Sequence, residues 1–300
     1  MSVGKITKLN VVTVCLVALM AFACKASAFT AAIENLPKSK STSYSYKNTH
    51  SKQKLQLAII IDDIGAKASD AKAFSLSRNI TFSILPHTDY STQFSYWASQ
   101  QNREVMLHMP MESLHKENLG PFPLLANMYP KEVKSALLNA LKTVPHAVGV
   151  NNHMGSKLTQ MTLQMTILMN ELKANNLFFV DSRTTRFTKA RFIAKQQGVK
   201  VASRHVFLDH VQTPDFLAHQ FALAIKRARQ HKKAILIAHP YPVTLKFLQK
   251  KLSNLPDDIE LITVSEYLQE TDKFRINPRL AMNSSVSAVE ESSIKAAPQD

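Results

Sequence analysis

Beyond Cys24 the sequence has no cysteine, because both of its cysteines, Cys15 and Cys24, lie among the first 28 of its 300 residues. If that segment is removed, disulfides and thiolate metal sites are excluded, and any metal must be held by His, Asp or Glu. The same 28 residues have no acid to offset Lys5, Lys8 and Lys25. Their apolar run, 11–23, is too short to span a bilayer comfortably, which leaves a retained anchor as the weaker alternative. Positive charges, the short apolar run and then Ala26-Ser27-Ala28 have the form of a signal peptide with its cleavage site, so the sequence predicts export and a mature chain starting near Phe29. Cys24 raises lipidation as an alternative, but Ala21-Phe22-Ala23 makes a poor lipobox. Residues 29–54 lack the aliphatics needed to pack and read as a polar linker, and the segment 271–300 loses all periodicity and reads as a disordered tail. There is no internal repeat, and the single tryptophan, Trp97, falls on an expected outer helix.

Negative charge is also scarce: the formal net charge is +15. Removing the three leader lysines leaves +12. A basic exported protein favours anionic surroundings such as cell-wall polymers or lipid headgroups, and export argues against nucleic acid as a partner. Solubility alone would also account for the lysines.

What remains is one block, 55–270, of a size suited to a single α/β barrel domain. Short β-rich runs at 57–62, 80–85, 103–108, 146–151, 177–181, 199–208, 234–238 and 259–263 alternate with amphipathic stretches. The clearest of these stretches are 131–143, 160–175, 215–230 and 243–252. Alternation of this kind predicts βαβ units and a parallel sheet, and seven or eight such strands close more naturally into a barrel than into an open sheet.

Polar residues follow the strands in a consistent way. Asp62 and Asp63 end the first, and His108 followed by Glu112 ends the third. His153 comes after "AVGV", Asp181 after "LFFV" and His239 after "AILIA". Taken singly, each has an ordinary explanation as a turn or cap residue, and Asp62 in particular could cap a following helix. Together they bring carboxylates and imidazoles to the C-terminal rim of a parallel sheet, where ligands bind in such folds. One carboxylate and two imidazoles suffice to hold a divalent metal such as zinc with an open position. A neighbouring carboxylate can then take a proton, and a histidine set by its own carboxylate can donate one. Asp62 and Asp63 supply the first pair of roles; His239 and Asp181 supply the second.

Five motifs in order, "IIIDDIG", "LHMPME", "GVNNHMGS", "FFVDSRT" and "ILIAHP", make residues 55–270 resemble the divergent polysaccharide deacetylases, relatives of the chitin and peptidoglycan N-deacetylases. The resemblance implies a distorted (β/α) barrel and a metal-dependent hydrolase that removes acyl groups from a cell-envelope glycan. It implies Asp62 as general base, with Asp63 and His108 as metal ligands. The sequence departs from the family's usual H-x-x-x-H pattern, since Glu112 stands where the second histidine would be. The third ligand is therefore either His153, favoured because Pro110 disrupts a helical turn between His108 and Glu112, or Glu112 itself. Asn151-Asn152-His153 replaces the usual arginine-proline motif, and the customary tryptophan after the later Asp is missing. A degenerate barrel that only binds glycan or a protein partner, or another metal-dependent hydrolase, therefore stays open. His87, His115, His146, His205 and His210 are read as solvated or packing residues. Arg183 and Arg186 could meet an anionic group on a substrate, and a solvated loop is their plainer reading.

Overall fold

The computed structural model describes residues 54–115 and 118–273. The expected signal peptide, all but the last residue of the expected linker, and all but the first residues of the expected tail lie outside them. Among the described residues nine strands form one parallel sheet: β1 (Leu55–Ile64), β2 (Thr81–Ile84), β3 (Val105–Met111), β4 (Ala147–Met154), β5 (Phe178–Asp181), β6 (Val201–Ser203), β7 (Val206–Phe207), β8 (Lys233–Ala238) and β9 (Ile259–Ile262). The same residues form seven α-helices: α1 (Ser91–Gln100), α2 (Pro130–Thr143), α3 (Thr162–Ala174), α4 (Ala190–Gln197), α5 (Pro214–His231), α6 (Pro242–Leu252) and α7 (Val264–Lys273). The strand order is β6-β5-β4-β3-β2-β1-β8-β7, with β9 paired to the first half of β1. The sheet curls into a half-barrel with helices around it, the expected distorted (β/α) barrel.

The two ends of that order, β6 and β7, are halves of the single run expected at 199–208. Arg204 and His205 break it: β6 bonds to β5 and β7 bonds to β8, so the chain itself crosses the seam where no ladder forms. The break is bridged by His205, whose N–H donates to the Ile235 carbonyl (2.9 Å) and whose Nδ1 accepts the Ile235 N–H (3.0 Å).

Side-chain alternation sorts the sheet into two faces. Leu57, Ile59, Ile61, Phe82, Leu107, Val150 and Phe179 pack outward against the helices. Ala58, Ile60, Met106, Phe178, Val180, Ile235 and Ile237 fill the interior. Gly149 belongs to this inner layer and has to be glycine, since a Cβ there would come 2.2 Å from the Phe178 ring. Tyr267 and Leu268 of α7 plug the N-terminal end of the barrel. Glu104 fastens that plug by accepting the first N–H groups of the helix, Val264 to Oε1 (2.8 Å) and Ser265 to Oε2 (3.0 Å), which suits a carboxylate at the positive end of a helix. At the opposite end the inward register continues past the apolar layer to Asp62, His108, Asn151, Ser182 and His239. No helix among the described residues is long and apolar enough to cross a membrane.

Candidate metal centre and active site

Adjacent strand residues face opposite ways, so Asp62 and Asp63 should not share a site. Asp62 keeps the inward register and is buried. Asp63 adopts φ 59°, in the left-handed region, and the pairing of β1 with β2 slips between Ile61 and Ile64. That turn breaks the alternation and brings the second carboxylate back over the rim. A non-glycine residue held there costs on the order of 1 kcal/mol, although Asp tolerates the region better than most residues. Asp70 secures the turn, its Oδ2 accepting N–H groups from Gly65 (3.1 Å) and Lys67 (3.0 Å).

Asp63, His108 and His153 converge. Asp63 Oδ1 lies 3.2 Å from His108 Nε2 and 2.9 Å from His153 Nδ1, and the two nitrogens are 3.2 Å apart. Zinc held tetrahedrally at about 2.0–2.2 Å sets its ligand atoms about 3.3 Å from one another, so this triangle nearly matches one tetrahedral face. The contacts are short, yet Asp63 Oδ1 is buried with no N–H aimed along its lone pair. One proton cannot serve all three edges of such a triangle; a cation at its centre would.

Asn151 fixes which atoms face that centre. The Asp62 carboxylate only accepts, so the Asn151 Nδ2 donates to Asp62 Oδ1 (2.8 Å). The amide oxygen is thereby turned to accept from Ser83 Oγ (2.5 Å) and from His108 Nδ1 (2.7 Å). A proton on Nδ1 leaves the His108 Nε2 lone pair pointing at Asp63 and His153, the orientation that a hydrogen-bonded ligating histidine takes. Without a cation, burial pulls the His108 pKa down, but the charge of Asp62 and the contact and charge of Asp63 outweigh it and raise it to about 9. Burial likewise pushes Asp63 upward, and the contacts and charges of His108 and His153 override it, holding the carboxyl well below the usual range.

Across the cleft, His239 Nε2 stands 3.8 Å from Asp63 Oδ2. Its Nδ1 pairs with Asp209 Oδ1 (2.9 Å), while Asp209 Oδ2 accepts the His239 N–H (2.7 Å) and the Thr244 hydroxyl (2.9 Å). Burial lowers the His239 pKa, but Asp209 outweighs it and the net shift is upward. These groups line a hollow of about 290 Å³ with Phe207, His210, Gln212 and Tyr241. A larger hollow of about 450 Å³ lies at the other end of the barrel, between Phe178, Val199 and Leu268, and contains no such donor set.

Two of the sequence expectations need correction. Asp181 is not the partner of His239. It shares the outward register of Phe179, and its carboxylate accepts from the Arg183 N–H (2.9 Å) and Thr188 Oγ1 (3.1 Å), ordering the loop before α4. Asp209, on the inward register of Phe207, takes that position. Glu112 does not reach the triangle either. The chain from His108 to Met111 is extended, so four residues separate the two by about 13 Å instead of one helical turn. The Glu112 carboxylate instead pairs with Lys157 Nζ (2.5 Å) and accepts the Ala126 N–H (2.6 Å). Asn151 and Asp209 escaped the sequence reading as functional residues. The only signal for Asp209 was an acid following the apolar run "VFL", the same signal that pointed to Asp181.

Residues 59–268 match the sequence pattern that defines the divergent polysaccharide deacetylases. The chain belongs to that family. Two relatives bear on what is known of this divergent deacetylase family. An uncharacterized protein of Haemophilus influenzae is 40% identical over 208 residues, 69% of this chain and 74% of its own. The uncharacterized protein YibQ of Escherichia coli is 38% identical over 216 residues, 72% of this chain and 68% of its own. Among solved structures, an uncharacterized protein from Agrobacterium tumefaciens superposes with a TM-score of 0.69 at 20% identity, covering 72% of this chain and 90% of that one. At that identity the likeness speaks for the fold alone.

Proposed function

We propose that this protein is an exported, metal-dependent deacylase that removes N- or O-acyl groups, acetyl foremost, from a cell-envelope glycan. The observation that carries the reading is the Asp63–His108–His153 triangle, flanked on one side by Asp62 and on the other by the His239–Asp209 pair. Asp63, His108 and His153 would hold the ion, with zinc favoured by their mixed N and O donors. A bound divalent ion would supply Lewis acidity for the acyl carbonyl and for an attacking water.

The remaining chemistry belongs to the protein. Asp62, oriented by Asn151, takes the proton of the attacking water. His239, whose pKa Asp209 raises, donates a proton to the departing nitrogen or oxygen as the acyl bond breaks. The cleft is open to solvent on the rim, as a glycan requires. The signal-like leader and the net charge of +12 without it support an envelope location, and an intact mass beginning near Phe29 would establish processing.

The test compares three substitutions on acetylated glycan fragments. Asp62→Asn and His239→Ala should lower turnover by roughly 10²- to 10⁴-fold while metal content is unchanged. Asp63→Ala should lose metal and activity together. Full turnover by Asp62→Asn would refute the assignment of the base. Metal binding without acyl release from any acylated glycan would favour the barrel as a binding protein.

A further inference from the structure

Residues 182–192 contain four cations, at 183, 186, 189 and 191, and no acid. They form the shoulder of the rim from β5 into α4, starting beside the candidate active site at Ser182 and Thr184, which line its hollow. Along the shoulder Phe187 is 57% exposed and Phe192 63% exposed. Leu163, at 66%, joins them from the first turn of α3, which Lys189 Nζ ties to the shoulder through Thr162 Oγ1 (3.4 Å). The helix α4 leaves Phe192 outside because Ala190, Ile193 and Ala194 already supply its buried face. Arg186, Lys189 and Arg191 make no ion pair with any described residue, and the Arg186 guanidinium lies 4.6 Å over the Phe187 ring.

Some basic residues elsewhere are engaged by the protein itself. At the end of α5, Arg229 is paired with Asp258 and Lys233 Nζ donates to the Tyr267 carbonyl. On the shoulder, unneutralised cations stand beside exposed aromatic and aliphatic side chains. Lysine and arginine would meet acidic headgroups while phenylalanine and leucine enter the acyl boundary, which is the composition of interfacial lipid contacts. A soluble polyanion would satisfy the charges and leave the rings without a role.

We propose that this shoulder, carrying Phe187 and Phe192 among unpaired cations, docks on an anionic lipid bilayer and so holds the mouth of the site at the membrane surface. The proposal is independent of the catalytic reading. Hydrogen exchange of the full chain, followed on peptides from 183–195, reads the shoulder locally with phosphatidylcholine vesicles, with vesicles containing phosphatidylglycerol, and with polyphosphate.

Phosphatidylglycerol vesicles should protect the shoulder and neutral vesicles should not. The triple variant Arg186→Gln, Lys189→Gln, Arg191→Gln should lower the preference for anionic vesicles by on the order of 10²-fold, about fivefold per cation. Phe187→Ser with Phe192→Ser should weaken vesicle binding and leave polyphosphate binding unchanged. Unaltered melting temperatures would show that both variants fold. Absence of vesicle-dependent protection at 183–195 overturns the proposal. So does equal protection by polyphosphate with no effect of the phenylalanine changes, which would make the shoulder a polyanion site.

Discussion

Asn151 links the two halves of the candidate chemistry through separate atoms. Its Nδ2 serves Asp62 and its Oδ1 serves His108, so the two contacts can be cut independently. Asn151→Asp keeps an acceptor for His108 Nδ1 and places a carboxylate against Asp62. Metal content should persist while turnover falls by about 10²-fold or more, as expected when a general base is misdirected. Asn151→Ala removes both contacts and should weaken metal binding as well, by roughly 10- to 100-fold. Loss of metal from the Asp variant would show that the two contacts are not separable. Asp209 invites a different measurement, because it is what raises His239. If His239 must be protonated to act, activity declines as pH rises through its pKa. Asp209→Asn should therefore move that alkaline limb to lower pH, and an unmoved limb in the rate profile would assign it to another group.

At the scale of elements, the strand positions and the larger helices were legible in the sequence because apolar runs and amphipathic periods are set by burial. Strands expected at 57–62 and 234–238 are β1 and β8 to within a few residues, and 215–230 is α5. Facing was harder to read. Asp181 and Asp209 each follow an apolar run, and only the register of the closed sheet decides that Asp209 turns in and Asp181 out. The left-handed turn at Asp63 is likewise a consequence of the slipped ladder and is not encoded in a local motif. The break at Arg204-His205 also has no clear mark in the sequence, and it gives His205 a structural task. Burial depresses its pKa to about 4, helped by the charges of His231, Arg191, Arg183 and Arg227. The unfolded chain takes up this proton near the ordinary value of 6.5, whereas the folded chain resists until about 4. Stability should therefore fall as pH drops through that window. His205→Asn, which can still accept the Ile235 N–H without titrating, should flatten this part of the melting-temperature profile. An identical profile in the variant would show that the seam does not depend on a neutral imidazole.

At the scale of the whole molecule, the candidate ligands come from β1, β3 and β4, which the fold alone brings together. An ion bound there engages the native barrel and finds no equivalent in the unfolded chain, so binding should appear as stability. Zinc at about 100 times its dissociation constant contributes about 2.7 kcal/mol. For a domain of this size that corresponds to a rise in melting temperature of about 5–11 °C, reversed by a chelator. The rise should depend on pH in a defined direction. His108, held near 9 without metal, carries a proton at pH 7 that the ion must displace. The thermal shift should accordingly grow as pH increases toward 9 and fade as it decreases. Asp63→Ala should abolish the shift at every pH, while Asp62→Asn should leave it in place, since Asp62 lies outside the triangle. A shift retained in Asp63→Ala, or absent with zinc, manganese and cobalt alike, would make the three side chains an ion-pair network that holds the rim together without metal.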